Sequence, residues 1–390
     1  MAFPCATRLH ACVVLPPHTR PRRRAALLTR SAATTPSTVS PSSSSAAPEL
    51  GAAGLPNRFW EWRGQRIRYQ VAGEEAESRR SVVLIHGLFV NADHWRNNIS
   101  ALAEEYGLRV YAIDLLGSGY SSKPFPTSQE ARALSGENGR DLTPLVARLG
   151  TAWGGRREDV AVELAHPLGS VYNFFTWAEQ VADFAEEVVA GTKVTLVCNS
   201  IGTMTGLQAA LDHPEIFDSV MVVNPNFREL HTAEVPSFAL PAIRAVQRLL
   251  RERGHGLFDS LAKPDTVKQI LKEPYHDPSS VDDELVDALL SPLLTKGSAD
   301  VVFDNLSYSA GPLPEQQLAD PGMQARVWVC YGDKDPWTPS RRVEALASLP
   351  PVERVVSFQG VGHCPHDEAP HLVNPLVAEL VAKMGDGKTQ

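Results

Sequence analysis

The sequence predicts an α/β fold built on a mostly parallel sheet, and two observations support this prediction. From Phe59 onward, short runs of Val, Ile and Leu alternate with segments of helical periodicity, as in chains made of successive β-α units. The runs are continuously apolar, which is typical of strands whose two faces are both covered by helices. We therefore expect a sheet of eight strands with helices on both faces.

The first two strands are expected to form a hairpin around Arg63 and Gly64, and the other six to be buried. In chain order the predicted strands are Phe59–Trp62, Ile67–Val71, Ser81–Ile85, Val110–Asp114, Val194–Val197, Ser219–Val223, Val327–Tyr331 and Val355–Phe358. A helix is predicted over Trp177–Ala190, where one apolar stripe follows a capping box of Thr176 and Glu179.

Two segments interrupt this alternation. Residues 126–170 are rich in Gly, Arg and Glu, and we interpret them as a surface insertion. Residues 224–320 contain helical runs at 239–253, 266–272 and 281–294, and we interpret them as a helical lid over the strand ends. The expected organisation is one domain over residues 51–385, whose core comprises residues 57–223 and 321–385.

The first 48 residues differ in composition from the rest of the chain. They contain no Asp or Glu, carry six arginines, and end in a stretch rich in Ser, Thr, Pro and Ala. This composition is typical of an organelle transit peptide, which we predict as a disordered segment over residues 1–50. Its Ser and Pro content favours the chloroplast, in the stroma or at the thylakoid, with the mitochondrion as the alternative. A disordered tail without a targeting role is the other interpretation.

The overall composition excludes several classes of protein. No apolar stretch is long enough to span a membrane, and the net charge of −8 argues against a nucleic-acid-binding protein. The five cysteines show no CxxC spacing, so neither a disulfide scaffold nor a thiolate zinc site is expected. We expect no metal and no organic cofactor, and the oligomeric state is left open.

A candidate nucleophile follows the strand at Val194–Val197. The sequence Cys198-Asn199-Ser200-Ile201-Gly202 leads directly into a predicted helix, which is the pattern of a nucleophile elbow. Cys198 stands where such elbows usually have glycine. Ser200 could instead serve only as a helix N-cap.

Two further residues complete a candidate catalytic triad. Asp335 follows one predicted strand, and His363 lies in a Gly-rich loop after the next. A serine needs a base to accept its proton and an acid to orient that base, and the order Ser200, Asp335, His363 is one of the known triad orders. Asp335 could instead cap a helix, His363 could be an ordinary loop residue, and Asp333 is the alternative acid.

Acyl transfer also needs two N–H donors at the position where negative charge develops. The Ile201 amide, next to Ser200, is one candidate. The other is the amide of Leu88 in the His86-Gly87-Leu88 loop, with Phe89 as the alternative. His86 itself is interpreted as a residue that stabilises the loop.

The stretches LIHGLFVNADHWRNNI, VYAIDLLGSGYSSKP, VCNSIGTMTGLQAA, YGDKDPWTP and GVGHCPHDEAP carry a family resemblance. Over residues 57–385 the chain resembles α/β-hydrolases of the lidded, epoxide-hydrolase-like branch, and it is similar to plastid hydrolases of the pheophytinase and chlorophyll-dephytylase type. The resemblance implies that Ser200 is the nucleophile, Asp335 the acid and His363 the base. Epoxide hydrolases of this branch use Asp as nucleophile, so Ser200 argues against that activity.

Together these observations predict a serine hydrolase that cleaves a carboxylic ester of an apolar substrate, such as a pigment or lipid ester, through an acyl-enzyme. The alternatives are a C–C bond hydrolase or haloperoxidase-like activity on the same triad, and a catalytically weak ligand-binding receptor with a hydrolase pocket.

Other residues have simpler interpretations. His366 and His371 are expected to be solvated turn residues and no zinc ligands, while Cys198 and Cys364 are expected to pack as small side chains. The arginine-rich helix 239–253 is expected to pack on the core with a solvated basic face, although peripheral membrane contact through it is the alternative.

Overall fold

The computed structural model describes residues 47–76, 80–150, 156–228, 231–236 and 238–385. Nearly all of the predicted transit peptide, residues 1–46, therefore lies outside the described residues. Within the described ranges, none of the helices has the length and apolar character that crossing a membrane requires.

The predicted eight-stranded sheet is confirmed. The strands of the chain are β1 (Arg58–Trp62), β2 (Gln65–Ala72), β3 (Arg80–Ile85), β4 (Arg109–Ile113), β5 (Leu145–Gly150), β6 (Arg156–Val162), β7 (Lys193–Ser200), β8 (Phe217–Pro225), β9 (Arg326–Gly332) and β10 (Val352–Phe358). The main sheet has the order β1-β2-β4-β3-β7-β8-β9-β10, and β5 pairs with β6 in a separate hairpin. Strands β1, β2 and β4 pair antiparallel, and all pairs from β4 to β10 are parallel.

Helices cover both faces of this sheet. The helices of the described chain are α1 (Ile99–Tyr106), α2 (Gln129–Ala133), α3 (Phe174–Phe184), α4 (Gly202–Asp212), α5 (Leu240–Arg253), α6 (His255–Leu261), α7 (Pro264–Lys272), α8 (Asp283–Leu293), α9 (Ser298–Asn305), α10 (Pro314–Leu318), α11 (Ser340–Ala345), α12 (Pro365–Glu368) and α13 (Pro370–Gly385). Side chains of α3 and α4 share one apolar core with Val83 and Ile85 of β3. Those of α1 and α13 share a second core with Val82 and Leu84.

The continuous apolar runs of the inner strands are explained by these two cores. Successive residues of a strand point to opposite faces, so a strand covered on both sides needs an apolar residue at every position. All six residues of β3 are buried, which agrees with its place inside the sheet. The expectation that Val355–Phe358 is a buried strand was wrong, because β10 lies at the edge of the sheet and only Phe358 of these four residues is buried.

The predicted capping box before Trp177 was wrong. Helix α3 begins three residues earlier, at Phe174, and the Oδ1 atom of its N-cap residue Asn173 accepts a hydrogen bond from the Thr176 amide at 2.8 Å. The α-helical hydrogen bonding ends at Phe184, and a wider π-helical turn continues over Ala185–Val189. Asn is at least as favourable at the N-cap position as Thr, so Asn173 can serve as the N-cap of this helix in place of Thr176.

The two interrupting segments differ in structure. Residues 126–170 contain α2 and the β5–β6 hairpin, whose Leu149 and Val162 are fully buried in a small apolar cluster with Phe175 of α3 and Leu313. Residues 224–320 contain α5 to α10, and the predicted helical runs there correspond to α5, α7 and α8.

One buried charge cluster connects the strand β2 to the loops at the edge of the sheet. Arg68 has a fully buried side chain, and its guanidinium donates to Asp93 Oδ1 at 2.7 Å and to Asp114 Oδ1 at 3.1 Å. Asp114 also accepts hydrogen bonds from the amides of Ala92 and Tyr120, both at 2.8 Å. The cluster therefore fixes the segment that follows β3 against the segment that follows β4.

We predict that Arg68→Met destabilises the protein by about 3–5 kcal/mol, because it leaves two buried carboxylates without their cation. Chemical denaturation followed by circular dichroism measures this loss. The matched control is Arg66→Met, which removes an exposed arginine of the same strand and should cost less than about 1 kcal/mol. Equal losses in the two variants would contradict the structural role of the Arg68 cluster.

Candidate active site

The topology brings all the sequence-predicted site residues to one edge of the sheet. Parallel strands share the edge at which their carboxyl ends meet, and ligands of α/β proteins bind there. The His86-Gly87-Leu88 loop follows β3, Ser200 ends β7, Asp335 follows β9, and His363 follows β10. These strands are neighbours in the sheet apart from β8, which lies between β7 and β9.

Ser200 lies on a sharp turn between β7 and α4. Its φ of 54° places it in the left-handed region, which costs a non-glycine residue on the order of 1–3 kcal/mol and is frequent at active sites. A side chain at Gly202 would lie 2.6 Å from the backbone oxygen of His86, so the turn needs a glycine there. The structure thus has the strand–serine–helix geometry of the predicted elbow.

Cys198 at the first position of the elbow is accommodated by a glycine on the following helix. A Cβ atom at Gly206 would lie 2.3 Å from the Cys198 Sγ atom, so the sulfur occupies the space that a side chain at residue 206 would take. Cys198 is fully buried, and burial raises the pKa of its thiol above the ordinary value. The expectation that Cys198 packs as a small side chain is therefore met.

Asp335 and His363 form a buried pair. The Nδ1 atom of His363 lies 2.6 Å from Asp335 Oδ2, and the two side chains are 2% and 0% exposed. The Trp337 ring lies against the imidazole, with ring centroids 4.9 Å apart. A carboxylate at Nδ1 fixes the ring so that Nε2 faces away from the acid.

Asn224 is a site residue that the sequence reasoning missed as such. It lies near the end of β8, donates from Nδ2 to Asp335 Oδ2 at 2.8 Å, and accepts from the Gly332 amide at 3.2 Å. The Trp337 and Thr338 amides donate to the other carboxylate oxygen, at 2.8 and 3.1 Å. Burial alone would raise the pKa of Asp335, but the hydrogen bonds from His363, Asn224 and Trp337 hold it below its ordinary value.

Asp333, the alternative acid, has different partners. Its Oδ1 atom accepts a hydrogen bond from the Gly360 amide at 2.7 Å, and Oδ2 lies 3.1 Å from Lys334 Nζ. This geometry makes Asp333 a residue that holds the loop after β10.

Ser200 and His363 are close but are not hydrogen-bonded to each other within the described part of the chain. The Asn199 side chain, directly before Ser200, donates to the His363 carbonyl oxygen at 3.4 Å. The Nε2 atom of His363 is buried and has no hydrogen-bond partner among the described residues. Its lone pair is therefore available for another group in the site.

The loop after β3 packs directly against the elbow. A Cβ atom at Gly87 would lie 3.2 Å from the Ser200 Cβ atom, so the two turns are in close approach. Within the described ranges, neither the Leu88 amide nor the Ile201 amide makes a turn or loop hydrogen bond. His86 holds this loop: Nδ1 lies 2.7 Å from the Gly87 oxygen, and Nε2 accepts from the Leu115 amide at 3.1 Å.

The expectation that His366 is solvated was wrong. His366 is fully buried, and its Nε2 atom lies 3.2 Å from His94 Nδ1. His94 in turn contacts the Tyr275 hydroxyl at 2.9 Å, and that hydroxyl donates to Asp367 at 2.9 Å. Burial lowers the pKa of His94 to about 4 and lowers that of His366 well below its ordinary value, so both rings are neutral at neutral pH.

His371, by contrast, is exposed. No group of three or more His, Cys, Asp or Glu side chains suited to a metal ion occurs in the part of the chain that the structure describes.

Residues of the segment 224–320 cover this edge of the sheet. The His363 amide donates to the Pro274 oxygen at 2.7 Å, and Val90 packs into an apolar cluster with Tyr275, Leu285 and Leu289. Between Phe89, the Gly117–Gly119 loop and helices α8 and α9 there is a cavity of about 20 Å³, large enough for about one water molecule.

Comparison with known proteins agrees with this architecture. The chain is 25% identical over 354 residues to the chloroplastic pheophytinase of Arabidopsis thaliana, a match that covers 86% of this chain and 68% of the relative. Among solved structures, an epoxide hydrolase (CorEH) without ligand superposes with a TM-score of 0.59 at 16% identity, covering 85% of this chain and 99% of that one. A membrane phospholipase A superposes with a TM-score of 0.56 at 21% identity, covering 87% and 89%.

A family model described as alpha/beta hydrolase fold matches residues 80–370. These residues include every strand of the main sheet after the opening hairpin, the elbow, and both members of the Asp335–His363 pair. The chain therefore belongs to the alpha/beta hydrolase fold family.

Proposed function

We propose that this protein is a serine hydrolase that cleaves a carboxylic ester of an apolar substrate. The observation that carries the proposal is the buried Asp335–His363 pair. The His363 Nε2 atom has no hydrogen-bond partner in the described chain, and the His363 carbonyl oxygen accepts a hydrogen bond from the side chain of Asn199, the residue before Ser200. A serine on a left-handed strand–helix turn beside an oriented imidazole is an arrangement suited to acyl transfer.

In the proposed mechanism Ser200 Oγ attacks the ester carbonyl while His363 Nε2 takes its proton. Asp335 keeps the ring oriented and stabilises the imidazolium that forms. The amides of Leu88 and Ile201 donate to the oxyanion of the tetrahedral intermediate. The leaving alcohol takes the proton from His363, and water then cleaves the acyl-enzyme with the same residues in reverse roles.

The described state is closed toward a bulky substrate. Ser200 is 6% exposed and His363 is 2% exposed, and the cavity beside Phe89 has room for about one water molecule. Pockets for ligands of drug size are typically 300–1,000 Å³. We therefore propose that residues 224–320 act as a lid, which moves to admit the substrate and then excludes water from the ester.

The substrate class is proposed from this cover and from the relatives. The lid residues that pack on the loop after β3 are apolar, including Leu285 and Leu289, so an apolar acyl or alkyl group would be the best match for an opened site. One relative is named pheophytinase, which supports pigment esters of the phytyl type as first candidates, with acyl lipids as second candidates.

The plastid is the proposed location, and the same relative is named chloroplastic. The acid-free, arginine-rich composition of residues 1–48 supports it independently. A fusion of residues 1–60 to a fluorescent protein should enter chloroplasts, and replacing its six basic side chains before residue 31 by glutamine should reduce import. A wild-type fusion that stays in the cytosol would contradict the proposal.

We predict that a fluorophosphonate probe labels the native protein at Ser200. The activated oxygen displaces fluoride from phosphorus and forms a covalent Ser200 Oγ–P bond, which gel fluorescence and peptide mass spectrometry detect. Ser200→Ala should abolish labelling, whereas Ser118→Ala, a serine of the neighbouring Gly117–Gly119 loop, should keep it. A folded wild-type protein that never labels would support the receptor alternative instead.

We predict that Asp335→Asn lowers kcat for a small aryl ester by about three to four orders of magnitude, because the amide favours the wrong imidazole tautomer. Asp333→Asn is the matched control and should leave kcat close to the wild-type value, since Asp333 binds the Gly360 amide instead. Initial rates at saturating substrate measure both. The reverse result would assign the acid to Asp333.

A further inference from the structure

Helix α5 exposes the side chains that a helix normally buries. Val246 and Leu249 are 58% and 53% exposed, and the one buried residue of α5 is the polar Gln247. The expectation that this helix turns an apolar face inward holds for Leu240, Ile243 and Leu250, which are half-buried on the side of Gln247, but was wrong for Val246. A helix of a globular protein usually turns its apolar stripe inward, so exposed apolar positions on one helix indicate a contact that the isolated chain does not make.

The exposed apolar character continues on both sides of α5. Phe238, directly before it, is 86% exposed, and Leu257 and Leu261 of α6 are 46% and 43% exposed. Leu257 and Leu261 are four residues apart and share one face of α6. Helix α6 packs against α5 and α9, with Phe258 against Phe303. We call Phe238, Val246, Leu249, Leu257 and Leu261 the apolar surface.

The same helix carries a group of arginines. Arg244, Arg248 and Arg251 line a cavity of about 330 Å³ together with Ser307, Ser309 and Glu163, among others. None of these three arginines forms a salt bridge within the described ranges of the chain. The whole chain has a net charge of −8, so this basic group does not reflect the average composition.

We propose that α5 and α6 dock on the surface of an anionic lipid bilayer. Exposed Phe, Val and Leu side chains gain free energy by entering the boundary of the acyl chains. Arg253 is exposed on the same face of α5 as Val246 and Leu249. This arginine and the exposed Arg244 and Arg248 on the other side of the helix attract anionic headgroups. Docking is a property of this surface and does not depend on the ester chemistry.

Two other occupants agree less well with the same observations. An acidic peptide would satisfy the arginines but would give Phe238 and Leu249 no apolar environment. A second copy of the chain, paired symmetrically through the exposed face of α5, would bring the Arg253 side chains of the two copies toward one another, which is unfavourable for like charges.

Vesicle flotation of the full chain tests the proposal. The arginine-rich N-terminal residues would bind anionic lipid by themselves, so all proteins carry glutamine at Arg8, Arg20, Arg22, Arg23, Arg24 and Arg30. In this background we expect binding to vesicles of phosphatidylcholine with roughly one quarter phosphatidylglycerol, and much weaker binding to pure phosphatidylcholine. Equal binding to the two kinds of vesicle, or no binding to either, would overturn the proposal.

Three variants separate the contributions. Val246→Ser with Leu249→Ser should lower the partition coefficient at least about tenfold, and Arg244→Gln with Arg248→Gln about thirtyfold at low salt. The matched control replaces Leu145 and Val146 of β5, which are also exposed, by serine. It should bind the anionic vesicles as strongly as the parent protein without these changes. Unchanged thermal melting shows that each variant folds. Lipid docking would be refuted if both α5 variants still bind the vesicles as the parent protein does. It would also be refuted if sedimentation shows a dimer that only the α5 variants dissociate.

Discussion

The left-handed backbone of Ser200 is the constraint on which the arrangement of this edge of the sheet depends. A strand can pass into a helix within one residue only if the tight turn leaves room for the backbone on each side of it. Positions whose side chains would collide with this backbone must therefore be small. Gly202 leaves room for the His86 oxygen, and Gly87 leaves room for the Ser200 side chain. The loop of Leu88 can therefore approach Ser200 closely, as the proposed role of Leu88 as an oxyanion donor requires.

Much of the fold and of the candidate site was predictable from the sequence, and the reasons differ between residues. A parallel strand buried on both faces is visible as a continuous apolar run, and Ser200 and Asp335 each lie within a few residues of the end of such a run. His363 follows the shorter apolar run of the edge strand β10. Asn224 also follows one, yet nothing local distinguishes an amide that binds a carboxylate from an ordinary loop amide. The burial of His366 was missed for a related reason: its partner His94 is far away in the chain, and the burial of a polar group depends on such partners.

The helical segment between β8 and β9 is distinct from the strands that carry the candidate site. Ser200, Asp335 and His363 lie at or after the ends of strands that pack against two apolar cores. The segment contacts this edge of the sheet at several points, among them Pro274 at the His363 amide and Tyr275 at His94. Proteins of one fold can share a catalytic edge and differ in substrate because such insertions change independently of the sheet. The proteins that share this fold include ones named as a pheophytinase, an epoxide hydrolase and a phospholipase.

The three cysteines of the described chain have a consequence for the reactivity of the folded protein. Cys198, Cys330 and Cys364 are unpaired and buried, and burial raises the pKa of each thiol. Since the thiolate is the reactive form, these sulfurs are protected from oxidants and alkylating agents as long as the fold persists. An electrophile that enters the site therefore meets oxygen and nitrogen nucleophiles, although sulfur lies two residues from Ser200. Modification of these thiols would report unfolding of the domain and would carry no information about the state of its active site.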